Sequence, residues 1–416
     1  MKVLVVGNGG REHCICWKLN ENPKVNKVYC APGNGGISLL SKGENIDIKS
    51  LDEILEFAKK EKIDLTIVGS EELLVNGIVD KFQENNLKIF GPNMKSAILE
   101  GSKAYAKNFM KKYGIKTAVY EVFNDEQKAK EYLKTCDYPI VIKASGLAAG
   151  KGVLICENKE AAINAIDEIM INKVFESAGE EIVIEEFLEG VEASILSFTD
   201  SKTILPFISA KDHKKIGENE TGLNTGGMGT IAPNPYVTEE VFSQFVTDIM
   251  NPTLDGIIGE KMDFAGVIFF GLMITEKGVY LLEYNMRMGD PETQVVLPLL
   301  KSDFLQLIED AINKNLSNSN VQWSNESACC VVLVSGGYPQ SYEKGFEIFG
   351  LDKIQNYFFV AGAKNNNNIL TTDGGRVLNI VALGDNLNIA NKKAYDDVAK
   401  VNFKDIYYRK DIGKIK

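Results

Sequence analysis

Apolar runs and amphipathic segments alternate through the first hundred residues. Short runs rich in β-branched residues predict strands at 3–6, 27–30, 64–69 and 88–92. Between them, apolar residues at helical spacing predict helices at 11–20, 51–62 and 74–86. Regular alternation of strands and helices is typical of a parallel, doubly wound sheet. The N-terminal region is therefore predicted to be a Rossmann-like α/β domain.

The pattern changes after about residue 101. A helix is predicted to begin there, and strands separated by glycine loops then continue to residue 231. A helical stretch at 238–260 precedes two apolar strands, AGVIFFGLMI and GVYLLEYNMR, and a helix at about 303–314. The polar segment 313–320 is predicted to be a linker, which leads to the short strands ACCVVLVSG, FFVAGA and RVLNIVALG.

Length and charge limit the classes of function. At 416 residues the chain is too long for a single hydrophobic core. Its formal net charge of −11 argues against sequence-independent binding of nucleic acid. Anionic substrates would therefore have to be held by a local cluster of Lys and Arg.

Cysteine, histidine and hydropathy content limit the chemistry. The seven cysteines form no C-x-x-C pair, and their odd number favours free thiols in a reducing compartment. With only two histidines, His13 and His213, a histidine-rich metal site is excluded. The N-terminus does not resemble a signal peptide, and no apolar run approaches the roughly 18 residues of a membrane span. We therefore expect a soluble, cytoplasmic protein without a membrane partner.

The stretch KASGLAAGKGV at 143–153 is a candidate phosphate site. A Walker-type P-loop needs G-x-x-x-x-G-K-[ST] between a strand and a helix. Here three residues separate Gly146 from Gly150, Gly152 follows Lys151, and both flanks are predicted strands. The arrangement is closer to the glycine flap that covers nucleotide phosphates in kinases. An ordinary glycine-rich hairpin is the alternative.

A second glycine-rich turn, GNGGRE at 7–12, follows the first strand and opens a helix. Glu12 occupies the third glycine position of the dinucleotide fingerprint, and no acidic residue ends the second strand. NAD binding by a dehydrogenase is therefore disfavoured. Backbone N–H groups at a helix N-terminus still suit an anion, although a tight strand-to-helix turn explains the motif equally well.

The segment VYLLEYNMRMGDPETQ at 279–294 carries the strongest chemical signal. Simple strand alternation places on one face a set that turns from apolar to polar: Val279, Leu281, Glu283, Asn285 and Arg287. Glu283 and Asn285 offer the hard oxygen ligands that Mg²⁺ prefers, and Arg287 suits a phosphoryl or carboxylate oxygen. A surface strand with solvated polar residues is the alternative.

Two further segments carry weaker signals. The first, EIVIEEFLEGVE at 181–192, is predicted to be a strand leading into a turn, where the backbone at Glu186 and Leu188 suits an adenine edge. The second, DHKKIGENETGLNTGGMG at 212–229, is a long polar loop of a kind that is uncommon unless functional or disordered. Its candidate substrate contacts are Asp212, His213 and Lys214, although His213 fits a surface position equally well.

These motifs together carry a family resemblance that covers nearly the whole chain. In order, the sequence contains GNGGRE, CAPGN, DLTIVG, KIFGP, LEGSKAYAK, IVIKASGLAAGKGV, IVIEEFLEG, DHKKIG, TGLNTGGMG, GLMIT, EYNMRMGDPETQ, SGGYP, GGRVLNIVALG and RKDIG. It resembles the phosphoribosylamine–glycine ligase family of the ATP-grasp superfamily.

The resemblance implies an α/β ATP-grasp fold in three parts. These are a Rossmann-like domain at 1–103, an ATP-grasp domain at 104–314 with a mobile lid at about 118–190, and a small β-rich domain at 315–416. It also implies ATP-dependent ligation of glycine to 5-phosphoribosylamine through glycyl phosphate, in purine biosynthesis. Mg²⁺ or Mn²⁺ is the expected metal, the expected partners are these small-molecule substrates, and no obligate protein partner is evident.

The resemblance also assigns residues to roles. The nucleotide-binding set is Lys103, Lys143, the flap at 145–152 with Ser145, Gly146, Gly150, Lys151 and Gly152, and the hinge and ribose contacts Glu185, Glu186, Leu188 and Glu192. The metal ligands are Glu283 and Asn285. The catalytic set is Arg287, Lys143 and Asp212. The substrate-binding set is Gly9, Gly10, Arg11, Glu12, Asp212, Gly226, Gly227, Arg287, Asp290, Gly375 and Arg376, with Arg409 as a further phosphate contact.

Four departures from the family pattern remove no metal ligand and no nucleotide lysine. They are Ser145 for Asp, GSEELL for G-P-E-x-P-L, TGLNT for T-G-P-N-T and VAGA for H-A-G-T. Two alternatives stay open at this point. One is another ATP-grasp ligase or carboxylase with a different acceptor, and the other is a nucleotide-binding sensor without catalysis.

Overall fold

The computed structural model describes residues 1–148, 150–367 and 369–414. Its N-terminal part is a five-stranded parallel sheet in the order β3-β2-β1-β4-β5. The elements are β1 (Lys2–Gly7), α1 (Gly10–Asn20), β2 (Lys27–Pro32), β3 (Gly43–Asn45), α2 (Leu51–Glu61), β4 (Leu65–Val68), α3 (Glu71–Val75), α4 (Ile78–Glu84) and β5 (Ile89–Phe90). The predicted doubly wound α/β architecture of this region is confirmed.

The prediction of one continuous helix at 74–86 is wrong. Two helices, α3 and α4, cover this region, and they are separated by Asn76 and Gly77. Gly77 has φ +82°, a left-handed conformation that turns the chain between the helices. The apolar spacing continues across the turn, so periodicity alone did not reveal the interruption.

Two helices, α5 (Met94–Gly101) and α6 (Lys103–Lys112), lead into a four-stranded antiparallel sheet in the order β6-β9-β7-β8. Its elements are β6 (Tyr120–Phe123), α7 (Glu126–Tyr132), β7 (Ile140–Ala144), β8 (Val153–Cys156), α8 (Lys159–Ile166) and β9 (Ile182–Glu186). Residues of 129–184 form a core of their own, separate from the other clusters. This unit falls within the segment expected to be the lid.

The middle of the chain forms a second antiparallel sheet in the order β11-β10-β16-β17. The elements that follow β9 are β10 (Val191–Thr199), β11 (Ile204–Pro206), β12 (Lys211–Asp212), β13 (Lys215–Gly217), β14 (Thr221–Asn224), β15 (Gly229–Ala232), α9 (Glu239–Phe245), α10 (Asn251–Gly259), β16 (Gly266–Thr275), β17 (Gly278–Asn285), α11 (Thr293–Leu299) and α12 (Phe304–Ile312). Strands β13 and β14 form a hairpin within the long polar loop. A π-helical turn at 246–250 joins α9 to α10.

The C-terminal part completes a third sheet in the order β12-β15-β18-β22-β19. Its own elements are β18 (Ser327–Val334), β19 (Tyr357–Val360), β20 (Ala363–Asn366), β21 (Ile369–Thr372), β22 (Arg376–Gly384) and α13 (Leu387–Val398). The short strands predicted for this region are confirmed, whereas the twelve-residue helix α13 was not predicted. The sheet also takes β12 and β15 from residues 211–232, so it crosses the expected boundary at 314/315.

Shared apolar packing joins the N-terminal, middle and C-terminal parts. One buried cluster includes residues from α1, β1, β10, α11, α12, β18 and β22. Across the described residues, no helix combines the length and the apolar character that crossing a bilayer requires.

Candidate active site

Two buried lysines from different elements meet one carboxylate beneath the glycine flap. Lys143 on β7 donates to Glu185 Oε2 at 2.9 Å, and Lys107 on α6 lies 3.2 Å from Glu185 Oε1. All three side chains are almost completely buried. Burial lowers the pKa of Lys107 to about 8, against the opposing charge of Glu185. Glu185 therefore fixes the position of Lys143, one of the two expected nucleotide lysines.

The other expected nucleotide lysine, Lys103, begins α6 and lies beside the flap. Its ammonium donates to the Gly146 carbonyl at 3.2 Å. Burial and the nearby Lys143 charge lower its pKa, while Glu283 opposes that shift. The structure therefore brings Lys103 and Lys143 close to each other and to Glu283.

Ser145 anchors the start of the flap to α6. Its carbonyl accepts from the Lys103 N–H at 2.8 Å, and its hydroxyl accepts from the Ala104 N–H at 3.2 Å. Gly150 has φ +74°, Lys151 is exposed, and the Gly152 carbonyl pairs with Ala144. The flap runs from strand β7 to strand β8, as predicted, and Ala149 lies outside the described residues.

The expected adenine hinge follows β9. The exposed Glu186 forms two hydrogen bonds with Val119, both 2.9 Å long. Its N–H donates to the Val119 carbonyl, and its carboxylate accepts from the Val119 N–H. Leu188 is half-buried beyond it. Glu192, the expected ribose contact, pairs with Lys214 at 2.9 Å. The hinge and ribose residues therefore lie in sequence along the β9–β10 connection.

Glu283 and Asn285 on β17 face the pocket that contains Lys103 and Lys143, but the strand face that they occupy differs from the prediction. Val279 and Leu281 pack into the core together with Tyr284, whereas Glu283 and Asn285 lie on the opposite side. A β-bulge causes this, because Gly271 pairs with Glu283 and Leu272 pairs with Leu281, leaving Leu282 as an extra residue. The prediction that Val279, Leu281, Glu283, Asn285 and Arg287 share one face is therefore wrong: one extra residue reverses the alternation.

The charge of Glu283 is maintained by its surroundings. Burial alone would raise its pKa, but Lys214, Lys143, Lys103 and Arg287 together lower it below the usual value. Among the described residues, its carboxylate accepts no hydrogen bond, so its oxygens are available to a ligand. A carboxylate and an amide oxygen on one strand fit a hard divalent cation. No group of three or more His, Cys, Asp and Glu side chains forms a metal cluster in the described part of the chain.

Arg287 follows these ligands and is held by several acceptors. Its Nη2 donates to Asn285 Oδ1 at 3.0 Å and lies 3.1 Å from Glu100 Oε1, and its Nη1 donates to the Met288 carbonyl at 3.4 Å. Its Nε is buried without a hydrogen-bond partner in the described structure. Arg287 thus borders the Glu283 pocket with one donor group unused.

Asp212 and Glu292 place two carboxyl groups beside the same pocket. Burial and the charge of Glu292 raise the pKa of Asp212 well above its usual value. Asp212 Oδ1 is buried and has no hydrogen-bond partner among the described residues. Glu292, a residue we did not predict, accepts from the Ser194 hydroxyl at 3.0 Å.

The N-terminal turn satisfies its own backbone donors with carboxylates. Glu12 accepts from the Gly9 N–H at 2.6 Å, and Asp290 accepts from the Arg11 N–H at 3.3 Å. The Arg11 guanidinium turns inward, where it pairs with Glu12 at 2.5 Å and donates to the Met288 carbonyl at 3.0 Å. Gly10 packs against the side chains of α11 and β22. Of the four turn residues at 9–12 that were expected to bind substrate, Gly9 lines the adjoining cavity, and the other three do not.

That cavity, of about 750 Å³, lies between the N-terminal and C-terminal parts. Lining polar residues include Asn34, Lys49, Tyr338, Lys364, Asp290 and Arg376. Arg376 reaches 3.3 Å from Asp290 Oδ1 and also donates to the Gly226 carbonyl at 2.5 Å. Gly375 packs against Tyr338, and Gly227, at φ +114°, packs against Asp212. The structure thus brings Gly9, Asp290 and Arg376 together at the cavity, with Gly226 and Gly375 beside them.

Arg409 lies away from the cavity. Its guanidinium forms a bidentate pair with Asp411, with both distances 2.8 Å, and it also binds Glu220 and the Lys215 carbonyl. It therefore holds the β13–β14 hairpin against the C-terminal segment. The other candidate from the loop, His213, is buried, and its Nδ1 lies 3.0 Å from the Gly229 carbonyl.

Sequence reasoning missed the charged partners of the expected residues: Glu71, Glu100, Lys107 and Glu292. Each pairs with, or lies beside, a residue far away in the chain, as Glu100 does with Arg287. The available signal was a charged residue at the spacing of a buried helix face, as Lys107 lies three residues from both Ala104 and Met110 on α6.

Comparison with known proteins gives family matches along most of the chain. Three family models described as phosphoribosylglycinamide synthetase match the chain: the N domain at 1–100, the ATP-grasp (A) domain at 101–293 and the C domain at 328–415. A phosphoribosylamine–glycine ligase of Fusobacterium nucleatum is 60% identical over 420 residues, which cover 100% of this chain and 99% of the relative. The corresponding protein of Clostridium acetobutylicum is 56% identical over the whole of both chains.

A solved structure is similar over the same length. The crystal structure of a phosphoribosylamine–glycine ligase from Thermotoga maritima superposes with a TM-score of 0.86 at 33% identity, covering 99% of this chain and 100% of that one. The match includes all three parts of the fold and the elements that carry the site. The chain therefore belongs to the phosphoribosylglycinamide synthetase family and is a ligase with the ATP-grasp fold.

Proposed function

We propose that the protein uses ATP to join glycine to 5-phosphoribosylamine, releasing ADP and phosphate, as a step of purine biosynthesis. The observation that carries this proposal is the convergence of Lys103, Lys143 and Arg287 on the ionised Glu283 beneath the glycine flap. A carboxylate and an amine need activation before they condense. Positioning and charge neutralisation suffice for phosphoryl transfer, so no protein nucleophile is required.

The nucleotide would lie between the flap and β17. Lys103 and Lys143 would neutralise its phosphates, the backbone after Glu186 would accept the adenine edge, and Glu192 would contact the ribose. Glu283 and Asn285 would hold Mg²⁺ or Mn²⁺ through their side-chain oxygens. Such a metal, when bound, stabilises negative charge on the phosphoryl group being transferred.

The transfer itself would take place beside Arg287. A glycine carboxylate oxygen attacks the γ-phosphorus, the bond to the β-phosphate oxygen breaks, and ADP leaves. The glycyl phosphate formed has an acyl carbon open to attack. Arg287, which borders the Glu283 pocket, would stabilise the charge on the phosphoryl oxygens. The flap would exclude water from this intermediate.

The amine substrate would enter through the 750 Å³ cavity. Its wall carries three cations, of which Arg376 pairs with Asp290 and Lys364 with Asp373, whereas Lys49 is the third. Gly9 brings backbone close to the same space. The amine nitrogen attacks the acyl carbon, the carbon–oxygen bond breaks, and phosphate leaves. The nitrogen then loses one proton.

Asp212 is better placed than Asp290 to take that proton. Asp290 is already occupied by Arg376, the Gln294 amide and the Arg11 N–H. Asp212 Oδ1 has no partner in the described structure, and burial together with the charge of Glu292 raises the pKa of Asp212, which makes its carboxylate a stronger proton acceptor.

The decisive measurement is ADP formation from ATP with glycine, with phosphoribosylamine, or with both. We expect ADP release to require both substrates. ADP release with bicarbonate in place of glycine would indicate a carboxylase. ATP binding without amine-dependent phosphate release would indicate a nucleotide sensor. Either result would overturn the proposed function.

A further inference from the structure

Glu71 lies between two arginines that serve different parts of the site. Its Oε2 is 3.6 Å from Arg11 Nη2 and 3.6 Å from Arg287 Nε. Glu71 begins the short helix α3, directly after the strand β4 of the N-terminal sheet. One carboxylate oxygen is therefore shared between the N-terminal turn and the arginine next to the proposed metal ligands.

The contacts of Arg287 leave one of its donor groups, Nε, near Glu71 without a hydrogen-bond partner in the described structure. Its two terminal nitrogens are held by Asn285, Glu100 and the Met288 carbonyl, and Glu100 is fixed in turn by the Met286 N–H at 2.6 Å. Its Nε is buried without a hydrogen-bond partner in the described structure, and 3.6 Å is too long for a bond to Glu71. When Arg287 turns from Asn285 toward a phosphoryl group, Glu71 is an acceptor within reach of Nε.

Arg11 ties Glu71 to the amine cavity. The Arg11 N–H donates to Asp290 Oδ2, and Asp290 Oδ1 pairs with Arg376 of the cavity wall. The Arg11 guanidinium is almost fully buried and pairs with Glu12, so its position is set by the turn that holds Gly9. A series of contacts thus runs from the cavity wall to Arg287 through Glu71: the Arg376–Asp290 ion pair, the Arg11 backbone N–H bond to Asp290, and the two 3.6 Å contacts of Glu71 with Arg11 and Arg287.

We propose that Glu71 is a positioning residue, which places Arg287 for phosphoryl transfer and links that placement to the turn at the amine cavity. This inference rests on the proposed function. Glu71 acts through Arg287 and need not touch substrate. Its loss should therefore lower turnover more than it weakens the binding of ATP or of the amine substrate.

The test is Glu71→Gln in the full-length protein, with Glu72→Gln as the matched control. Glu72 is the next residue and is exposed, and it forms no ion pair within the described structure. We expect Glu71→Gln to lower kcat by about 10- to 100-fold, with KM for ATP and for the amine within about 2-fold. Glu72→Gln should leave kcat and both KM values near those of the wild type. Both variants should leave the melting temperature near that of the wild type.

A double-mutant cycle separates positioning from a merely structural role. If Glu71 acts through Arg287, Glu71→Gln should cost less than about 3-fold in kcat in an Arg287→Lys background. Equal costs in both backgrounds, a kcat within about 2-fold of wild type, or a loss confined to KM for the amine would each overturn the inference. Wild-type protein that lacks ADP release dependent on both substrates would overturn the proposed function and this inference together.

Discussion

At the scale of single residues, the site depends on an acid kept ionised inside a cationic pocket. Four cations surround Glu283 and outweigh the effect of burial on its pKa. The glutamate in return offsets the mutual repulsion of Lys103, Lys143 and Lys214. The pocket can therefore hold several positive charges before a polyphosphate arrives.

Removing this single charge should disable catalysis without unfolding the protein. Glu283→Gln keeps the shape but lowers metal affinity and leaves the cations unbalanced. We expect kcat for ADP release to fall by about 100-fold or more, since a bound metal supplies several kcal/mol of charge stabilisation. Glu276→Gln is the control, because Glu276 is exposed at the turn of the same hairpin. A Glu283→Gln variant with turnover within a few-fold of wild type would contradict the assignment of Glu283.

Residue types and family motifs predicted one site that contains Lys103, Lys143 and Glu283, and the structure brings these three side chains near one another. They did not predict which charges are already neutralised inside the protein. Arg11 and Arg409 look like free phosphate ligands in the sequence, yet each pairs with a carboxylate close by in the chain and with a second one far away. Arg11 pairs with Glu12 and lies 3.6 Å from Glu71, and Arg409 pairs with Asp411 and Glu220. The distant pairs depend on tertiary contacts, which one sequence does not display.

At the scale of elements, the two misplaced features have local causes. The bulge in β17 adds one residue opposite Gly271, which reverses the side of the strand that Glu283 and Asn285 face. Neither glycine nor a polar residue marks Leu282 as the extra residue. The break between α3 and α4 does have a sequence signal, Gly77. However, a glycine is also tolerated inside a helix with regular apolar spacing, so this signal does not by itself indicate a break.

The turn at Gly77 should resist substitution. Alanine at this position would retain φ +82°, and its Cβ would lie 2.6 Å from the Met94 Cε atom. We expect Gly77→Ala to destabilise the N-terminal part by about 1–2 kcal/mol, because L-residues are strained in the left-handed region. Urea unfolding and amide hydrogen exchange across α3 and α4 would measure this.

Gly114 provides the matched control for Gly77. It has φ +66°, but nothing lies within 4 Å of its added Cβ. Gly114→Ala therefore reports backbone strain alone, and the excess loss in Gly77→Ala reports the Met94 contact. Faster hydrogen exchange should appear in α3 and α4 for Gly77→Ala only. Unchanged exchange there would show that the turn does not require glycine.

At the scale of the whole molecule, the sheets do not follow the order of the chain. Strand β15, from the middle of the chain, pairs with β18 of the C-terminal part, and β12, which carries Asp212, pairs with β15. The polar loop at 212–229, which lies between β12 and β15, is therefore anchored in the C-terminal sheet. Domain boundaries predicted from sequence order cannot show this, because strand pairing between distant segments leaves no local signal.

A buried histidine joins the N-terminal part to the same sheet. His13 on α1 accepts a hydrogen bond from the Val360 N–H of β19 at 2.8 Å, and its ring meets Phe359 edge-on at 5.8 Å. Accepting through Nδ1 requires an unprotonated nitrogen. Burial lowers the pKa of His13 from 6.5 to about 3. His13 therefore contributes to stability only in its neutral form.

This contact predicts a specific loss of stability in mild acid. Between the unfolded pKa of 6.5 and the folded pKa of about 3, the unfolded chain binds a proton that the folded protein does not. The stability due to neutral His13 is thus complete well above pH 6.5 and falls as the pH is lowered, by about 1.6 kcal/mol between pH 6.5 and pH 5. His13→Asn keeps an acceptor for the Val360 N–H but cannot titrate. The urea midpoint of this variant should therefore fall less steeply than that of the wild type over the same interval. Since carboxylates and His213 titrate in both proteins, only the difference between the two slopes reports His13, and equal slopes would contradict the contact.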